Sequence, residues 1–352
     1  MELKQLGWNN YFEEKFKAFE EKGYKAGRIF AEHTHLYKVK TEQGEVLGEI
    51  SGKLRYEASD REDYPAVGDW VAISVREDES RATIHGILPR KSKFSRKIAG
   101  LVTEEQILAA NIDTVFLVNA LNTDFSIRRI ERYLILAWES GANPVIVLSK
   151  ADLCEDIEEK ITQVEIVAMG VPIAVTSSVE GTGMNEIDKY LREGATIALL
   201  GSSGVGKSSL INYLMGNEVQ KVNAVREFDG KGRHTSTNRE TFILPSGALI
   251  IDTPGMREIQ MWEGDEGISE AFEDVEQYAK KCRFFDCKHH REPGCAVREA
   301  INNGLLSENR YESYKRLQKE IEFIERKQIM ASRLDEKKKQ KKSYIKLKEQ
   351  II

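Results

Sequence analysis

The sequence has few cysteines and no long apolar run. No stretch reaches the ~18 apolar residues that a membrane-spanning helix needs. The N-terminal "MELKQLGWNNYFEEKF" has no apolar core of signal-peptide length. We therefore expect a cytoplasmic protein, in which the four cysteines stay reduced. Cysteines that cluster in such a chain indicate a metal site rather than disulfides.

A strong net charge is also missing. The formal charge is -5 over 352 residues, which gives no general preference for nucleic acid. The segment 333–348, "RLDEKKKQKKSYIKLK", is an exception because it is strongly basic. A basic tail of this kind binds nucleic acid electrostatically or is simply a solvated helix end. The chain length predicts two or three domains.

The first part of the chain predicts a helix followed by a small β barrel. Residues 1–26 place aromatic and charged side chains in a helical rhythm, and short alternating segments follow between 27 and 89. A five-stranded OB-type barrel fits this length, and an SH3-like barrel fits it as well. OB-type barrels often bind RNA or DNA, and this barrel, with Arg28 and Arg55 among its polar residues, is expected to follow phosphate, with no single residue preferred.

From residue 112 onward, apolar strands alternate with helical segments. "IDTVFLVNAL", "PVIVLS", "VPIAVTS" and "TIALLG" have the continuous apolar character of strands buried on both faces. This alternation predicts a parallel sheet with helices on both faces. "RETFILPSGALIIDTPG" predicts a hairpin joined to that sheet. The chain then becomes helical, and we predict domains at 1–95, 96–262 and 263–352.

"GSSGVGKS" at 201–208 matches the phosphate-binding pattern G-x-x-x-x-G-K-[ST] between a strand and a helix. Its glycines, Gly201, Gly204 and Gly206, allow backbone N–H groups to turn toward a phosphate, and the helix N-terminus adds its dipole. Lys207 is expected to reach the β- and γ-phosphates, and Ser208 to coordinate Mg²⁺.

"LIIDTPG" ends an apolar strand in Asp-x-x-Gly. Asp252 is predicted to hold Mg²⁺, and Gly255 to offer its N–H to a γ-phosphate. The preceding loop "EFDGKGRHTSTNR" suits a switch segment in which Thr235 or Thr237 contacts Mg²⁺ and the γ-phosphate. The alternative is an ordinary surface loop.

"SKAD" follows the strand "PVIVLS" and predicts a base-binding loop. Asp152 can accept hydrogen bonds from N1–H and the exocyclic amine of guanine, which adenine cannot donate there, and Lys150 can lie along the base plane. Ser149 stands where Asn is usual, which predicts weaker guanine binding. Ser177 and Ser178, at the end of the next strand, are placed to support the base.

These elements are in an unusual order, because the base loop precedes the phosphate loop. Each still lies at the carboxyl end of a strand, and ligands bind along that edge of an open parallel sheet whatever the order of the strands. The sequence therefore predicts a circularly permuted GTP-binding domain.

"CRFFDCKHHREPGC" at 282–295 concentrates thiols and imidazoles. Cys282, Cys287 and Cys295 with one histidine suit tetrahedral Zn²⁺. We prefer His289 as the fourth ligand, with His290 as the alternative. Buried free cysteines are the competing interpretation.

Taken together, "SKADL", "GSSGVGKSSLIN", "GKGRHTST", "IIDTPGMRE" and the Cys/His segment resemble the circularly permuted ribosome small-subunit-dependent GTPase A family. The resemblance covers nearly the whole chain. It implies an N-terminal OB-type barrel, a permuted α/β P-loop GTPase domain and a C-terminal helical zinc-binding domain. Members bind the small ribosomal subunit and its rRNA late in assembly and hydrolyse GTP there. The implied GTP contacts are Ser149, Lys150, Ala151, Asp152, Gly201, Ser202, Ser203, Gly204, Val205, Gly206, Lys207, Ser208 and Ser209, and the implied zinc ligands are Cys282, Cys287, His289 and Cys295.

Hydrolysis by such a site depends on Lys207, Mg²⁺ and backbone N–H groups. Many GTPases orient water with Gln after Asp-x-x-Gly, but here Met256 follows. His234 is the candidate substitute, although an ordinary surface histidine fits equally well.

The main alternative function is a nucleotide-dependent rRNA-binding switch in which hydrolysis is incidental. An ATPase and a zinc RNA-binding module are further rivals, and we expect a monomer.

Overall fold

The computed structural model describes residues 2–33, 36–76, 80–98, 104–216, 240–252, 271–290, 292–319, 322 and 326, with 96–98, 104 and 252 described by their backbone alone. The chain divides into two compact units, one of Met1–Arg96 with Gln106–Ile259 and the other of Lys97–Glu105 with Gln260–Ile352. The predicted domain boundaries near 95 and 262 remain predictions.

The N-terminal strands close into a five-stranded barrel. Their order is β1-β2-β3-β5-β4, and β4 returns to pair with β1. β3 and β5 run parallel, while the other neighbours are antiparallel. This topology is the OB-type barrel and not the SH3-like alternative. The strands are β1 (Lys25–His33), β2 (Leu36–Thr41), β3 (Gly44–Ile50), β4 (Trp70–Arg76) and β5 (Arg81–Ile87).

Aliphatic side chains fill the barrel, and the N-terminal helix covers one side of it. Helix α1 (Asn10–Glu20) begins after Asn9, whose side chain accepts a hydrogen bond from the Tyr11 N–H as an N-cap should. Its Phe12 and Phe16 pack with the fully buried Trp70. Short helical segments complete this part of the chain, at Leu3–Leu6, Gly52–Glu57 (α2) and Arg61–Asp63.

The second sheet region has the order β10-β9-β8-β11-β13-β12. All neighbours are parallel except β12, which forms the predicted hairpin with β13. The strands are β8 (Thr114–Ala120), β9 (Asn143–Ser149), β10 (Ile173–Val175), β11 (Thr196–Leu200), β12 (Glu240–Ile243) and β13 (Leu249–Asp252). The helices are α3 (Ile127–Ser140), α4 (Ile157–Val167), α5 (Asn185–Asp188) and α6 (Lys207–Met215).

Two features of this region were not predicted. A separate hairpin pairs β6 (Lys93–Ile98) with β7 (Glu104–Ala110). Strand β1 of the barrel also pairs with β12 through Ala31 and Glu240, so one eleven-stranded sheet runs through the barrel and the parallel region. Helix α5 has only four residues, and turns surround it.

Arg28, one of the polar barrel residues named for phosphate contact, is not available for it. Arg28 is only 2 % exposed, and its guanidinium donates hydrogen bonds to protein oxygens on four separate segments. Burial lowers its pKa to about 10, against the opposing charges of Asp113 and Asp69, so it stays protonated at neutral pH. It therefore holds segments together inside the protein. The acceptors are the carbonyls of Leu6, Gly68 (3.2 Å) and Asn111 (3.2 Å) and the Thr196 hydroxyl (2.9 Å).

The described C-terminal residues are helical. They include α7 (Glu273–Ala279), α8 (Ala296–Asn302) and a further helical stretch at 308–319. Arg310 is buried and pairs with Asp274 at 3.1 Å, which ties that stretch to α7. Among the described residues no helix combines the length and apolar character needed to cross a membrane.

Candidate functional site

The predicted nucleotide loops converge at one edge of the parallel sheet. Strand β9 ends at Ser149, β10 at Val175, β11 at Leu200 and β13 at Asp252. These strands are parallel and lie side by side with β8 between β9 and β11. Their carboxyl ends therefore meet at the same edge, which is where open α/β sheets bind ligands.

The phosphate loop, residues 201–209, has the tight form that its glycines allow. A Cβ on Gly201 would lie 2.5 Å from the Val118 carbonyl of β8, and Gly206 has a φ of +98°, so both positions favour glycine. Lys207 begins helix α6, and its Nζ donates 2.6 Å hydrogen bonds to the carbonyls of Gly201 and Ser202. Ser208 and Ser209 lie half-buried in the first turn of α6, while Ser203 and Gly204 are exposed.

The base loop, residues 149–152, is held by the strand end beside it. Lys150 takes a left-handed backbone conformation with φ 59°, and the Ala151 N–H bonds to the Thr176 carbonyl at 3.1 Å. The Asp152 carboxylate accepts a 2.6 Å hydrogen bond from the buried Ser177 hydroxyl. Asp152 is itself exposed, and the hydrogen bond from Ser177 orients its carboxylate. Ser178 follows half-buried.

One hydrogen bond joins the base loop to the phosphate loop. The buried Ser149 hydroxyl donates to the Val205 carbonyl at 2.6 Å. A Cβ on Gly206 would lie 3.8 Å from the same hydroxyl. The prediction of weaker guanine binding from Ser149 did not include this contact. Its hydroxyl proton is used to connect the two loops.

A third loop at this edge was not predicted from the sequence. Asp124 and Arg129 follow strand β8, and both contact Ser202 of the phosphate loop. Only their position in the sequence could have indicated this loop, because charged residues directly after a buried strand lie at the ligand-binding edge.

Several predicted residues lie outside the described residues. They are His234, Thr235, Thr237 and Gly255, as well as Met256 and the basic segment 333–348. Asp252 ends β13 at the expected edge, and only its backbone is described.

The Cys/His segment gathers four ligand atoms. Cys282, Cys287, His289 and Cys295 each offer one atom, and all four lie within 4.8 Å of one another. The Cys282 and Cys295 sulfurs are 3.9 Å apart, and His289 Nδ1 is 3.5 and 3.4 Å from them. Tetrahedral zinc with ~2.3 Å sulfur bonds and ~2.0 Å nitrogen bonds requires ligand atoms roughly 3.5–3.8 Å apart. This Cys₃His cluster therefore has a chemistry and geometry that suit zinc.

The backbone around the cluster selects His289 over its neighbour. His289 has a φ of +57°, and its carbonyl accepts a 3.3 Å hydrogen bond from the Tyr311 hydroxyl. His290 is exposed and is not part of the four-atom group. Cys295 also accepts the Arg298 N–H at 3.5 Å as the N-cap of α8. Such contacts orient ligands from outside the metal shell.

Fold and site together define a P-loop GTPase whose strands are in circularly permuted order. A family model described as RsgA GTPase matches residues 87–262. A second, described as ABC transporter, matches residues 184–344, a range that contains the phosphate loop.

Curated relatives and solved structures agree with the first model. A relative from Opitutus terrae, named small ribosomal subunit biogenesis GTPase RsgA, is 44% identical over 93% of this chain and 92% of its own length. One from Lactiplantibacillus plantarum, named RsgA 2, is 47% identical over 86% and 85%. The structure of YjeQ from Thermotoga maritima superposes with a TM-score of 0.64 at 29% identity, covering 85% of this chain and 98% of that one. The structure of YloQ, described as a circularly permuted GTPase, has the same fold, with a TM-score of 0.62 at 24% identity over 85% of this chain and 95% of that one.

The chain therefore belongs to the RsgA GTPase family and is a GTP-hydrolysing enzyme.

Proposed function

We propose that this protein binds the small ribosomal subunit, assists its late assembly or maturation, and hydrolyses GTP with stimulation by the subunit. The relatives named as small ribosomal subunit biogenesis GTPases support the partner, since they align over most of both chains. The observation that carries the enzymatic part is the Ser149–Val205 hydrogen bond, because it unites base loop and phosphate loop in one site.

Guanine selection falls to Asp152 in this proposal. Its carboxylate accepts from N1–H and from the exocyclic amine of guanine, while Ser177 holds it in place. Adenine has no donors for these positions. A carboxylate left unpaired costs roughly 1–3 kcal/mol or more, and this penalty disfavours ATP.

The reaction is attack of water on the γ-phosphate of GTP, which gives GDP and phosphate. Lys207, held at the centre of the loop, offers its ammonium charge to the β- and γ-phosphate oxygens. The backbone N–H groups of the phosphate loop donate further hydrogen bonds to the phosphate oxygens. Ser208 and Asp252 are the residues that would hold Mg²⁺, which supplies positive charge to the phosphates.

We assign the remaining roles to residues outside the described part of the chain. Thr235 or Thr237 would contact Mg²⁺ and the γ-phosphate, Gly255 would donate its N–H to the γ-phosphate, and His234 would orient the attacking water. The support is their position in sequence, between the phosphate loop and the strand that ends at Asp252.

The zinc ion has a structural role in this proposal. Cys282, Cys287, His289 and Cys295 would together supply four ligands to the zinc, which leaves no position open for substrate. Zinc would fix the segment between α7 and α8, whose described residues form turns and neither helix nor strand.

Contact with rRNA is assigned to the exposed Arg55 of the barrel and to the basic segment 333–348. We place the protein in the cytoplasm as a monomer that joins the maturing subunit there.

Turnover measured with purified small subunits, with large subunits and with neither tests this function. We expect slow hydrolysis alone, a clear rise with small subunits, and no rise with large subunits. Equal rates in all three mixtures would contradict the proposal. Lys207→Ala serves as the control that separates this enzyme from a contaminating GTPase.

A further inference from the structure

Asp124, Arg129 and Ser202 form a closed triangle of hydrogen bonds beside the phosphate loop. Two Arg129 nitrogens donate to the two Asp124 carboxylate oxygens at 2.8 and 3.0 Å. The Ser202 hydroxyl donates to Asp124 at 3.0 Å and accepts from Arg129 at 3.0 Å. We name this group the Asp124 triangle.

The triangle is built by the loop that follows β8. The Asp124 N–H bonds to the Asn122 side chain at 3.0 Å, and Arg129 also donates to the Asp124 carbonyl at 3.1 Å. Arg129 lies in the first turn of α3. The helix dipole opposes a cation at that end, so helix stability does not explain this arginine.

The same loop lies next to the base loop. The Leu121 N–H donates to the Ser149 carbonyl at 2.8 Å. The pKa of Asp124 is lowered chiefly by its hydrogen bond from Arg129, with further contributions from Ser202 and from the charge of Lys150. The triangle thus borders both loops that are expected to hold the nucleotide.

Ser202 connects the triangle to the phosphate-binding lysine. Its hydroxyl is fixed by Asp124 and Arg129, while its carbonyl accepts the Lys207 ammonium at 2.6 Å. Losing the triangle frees the Ser202 side chain, and the carbonyl that holds Lys207 becomes free to move with it.

We infer that Arg129, together with Asp124, is a positioning residue for guanine nucleotide binding, and that it acts by fixing Ser202 beneath Lys207. The inference rests on GTP binding at the proposed site and does not depend on the ribosomal partner. Because the loop cradles phosphates that GDP and GTP share, both nucleotides lose affinity when the triangle is broken.

The test measures dissociation constants of fluorescent GDP and of a non-hydrolysable GTP analogue. Arg129→Met, Ser202→Ala and the double variant form a double-mutant cycle. Arg128→Met is the matched control, since Arg128 is exposed in the same helical turn. We expect Arg129→Met to weaken both nucleotides about tenfold, with Arg129→Lys regaining part of the loss and Arg128→Met equal to wild type. The double variant should be no weaker than the worse single variant, and KM for GTP should rise more than kcat falls.

Thermal unfolding of the nucleotide-free variants distinguishes positioning from a loss of fold. If Arg129→Met is unstable, Ser202→Ala alone must show the affinity loss, because it removes one hydroxyl from a half-buried site. Equal affinities of Arg129→Met and Arg128→Met, or fully additive effects in the cycle, would overturn the inference. Wild-type protein that binds no GTP would instead refute the proposed function.

Discussion

The Ser149 hydroxyl donates a 2.6 Å hydrogen bond to the Val205 carbonyl, and this contact ties the base loop to the phosphate loop. The two residues are far apart in sequence, and they meet because β9 and β11 flank β8 in the sheet. The permuted chain order therefore still brings these two loops together. A short side chain is sufficient here, since the two backbones already lie close together.

Ser149→Ala tests this link. The change leaves a buried carbonyl without its donor, at a cost of about 1 kcal/mol. We expect GTP and GDP affinities to fall by the same factor of about five, with no gain in ATP binding. Titration calorimetry measures this, and Thr162→Ala on the exposed surface of α4 is the control. Unchanged affinities would show that the loops hold their positions without the hydroxyl.

Asp152→Asn tests guanine selection. The amide cannot accept both guanine donors, so the charge-assisted hydrogen bonds worth roughly 1.5–3 kcal/mol are lost. We expect GTP affinity to drop by about ten- to a hundredfold and XTP to become the better competitor, since xanthine offers a carbonyl to the amide. Asp156→Asn, at the exposed start of α4, is the control. Retained GTP preference would remove Asp152 from base recognition.

Cys287→Ser tests the metal centre. We expect the wild-type protein to carry one zinc ion per chain, and the variant to lose it because the serine hydroxyl is a poor substitute for a thiolate. Elemental analysis measures the metal, and thermal unfolding should show a lower midpoint. Nucleotide affinity should remain that of wild type, and His290→Ala should keep its zinc. A zinc content unchanged in Cys287→Ser would contradict the assignment.

Arg28→Met tests the buried hydrogen bonds of Arg28, and Arg55→Met tests the proposed contact of the exposed Arg55 with rRNA. Removing the Arg28 guanidinium leaves several buried oxygens unpaired, which we expect to cost about 3 kcal/mol or more. The thermal midpoint should fall strongly in Arg28→Met and not in Arg55→Met. Small-subunit binding should weaken in Arg55→Met, with a smaller dependence on salt than in wild type. An unchanged thermal midpoint together with weaker small-subunit binding in Arg28→Met would instead assign Arg28 to RNA contact.

His234→Ala tests the water-orienting role. Because general-base or water-positioning groups act in the reaction and not in binding, we expect stimulated turnover to fall while the GTP dissociation constant stays unchanged. Single-turnover hydrolysis with saturating small subunits measures the effect. Full stimulated activity would exclude His234 from the reaction.

The sequence predicted the features that depend on local pattern. The phosphate loop, the base loop and the Cys₃His cluster each occupy a short segment, and the continuous apolar strands located the sheet edge that brings the first two together. The family match and the neighbouring structures confirm the fold and the enzymatic class. The individual nucleotide contacts stay predictions.

What the sequence did not predict depends on long-range contacts. Arg28 lies among small and apolar residues of β1, and its partners come from residues 6, 68, 111 and 196. No local pattern reveals that four distant segments supply its acceptors. The position of Arg129 after β8 placed it at the ligand-binding edge, but its contact with Ser202, which is 73 positions away, has no local signal.

The pairing of Ala31 with Glu240 affects how the chain can be divided. Leu6, Phe12 and Trp70 share a hydrophobic cluster with Leu249 of β13. Truncation at residue 95 would therefore uncover apolar surface and also leave β12 with an unpaired backbone edge. Exposed strand edges promote association between molecules, so a fragment that starts at 96 is expected to aggregate. Separate expression of the barrel would likewise remove its pairing with β12 and its packing against Leu249.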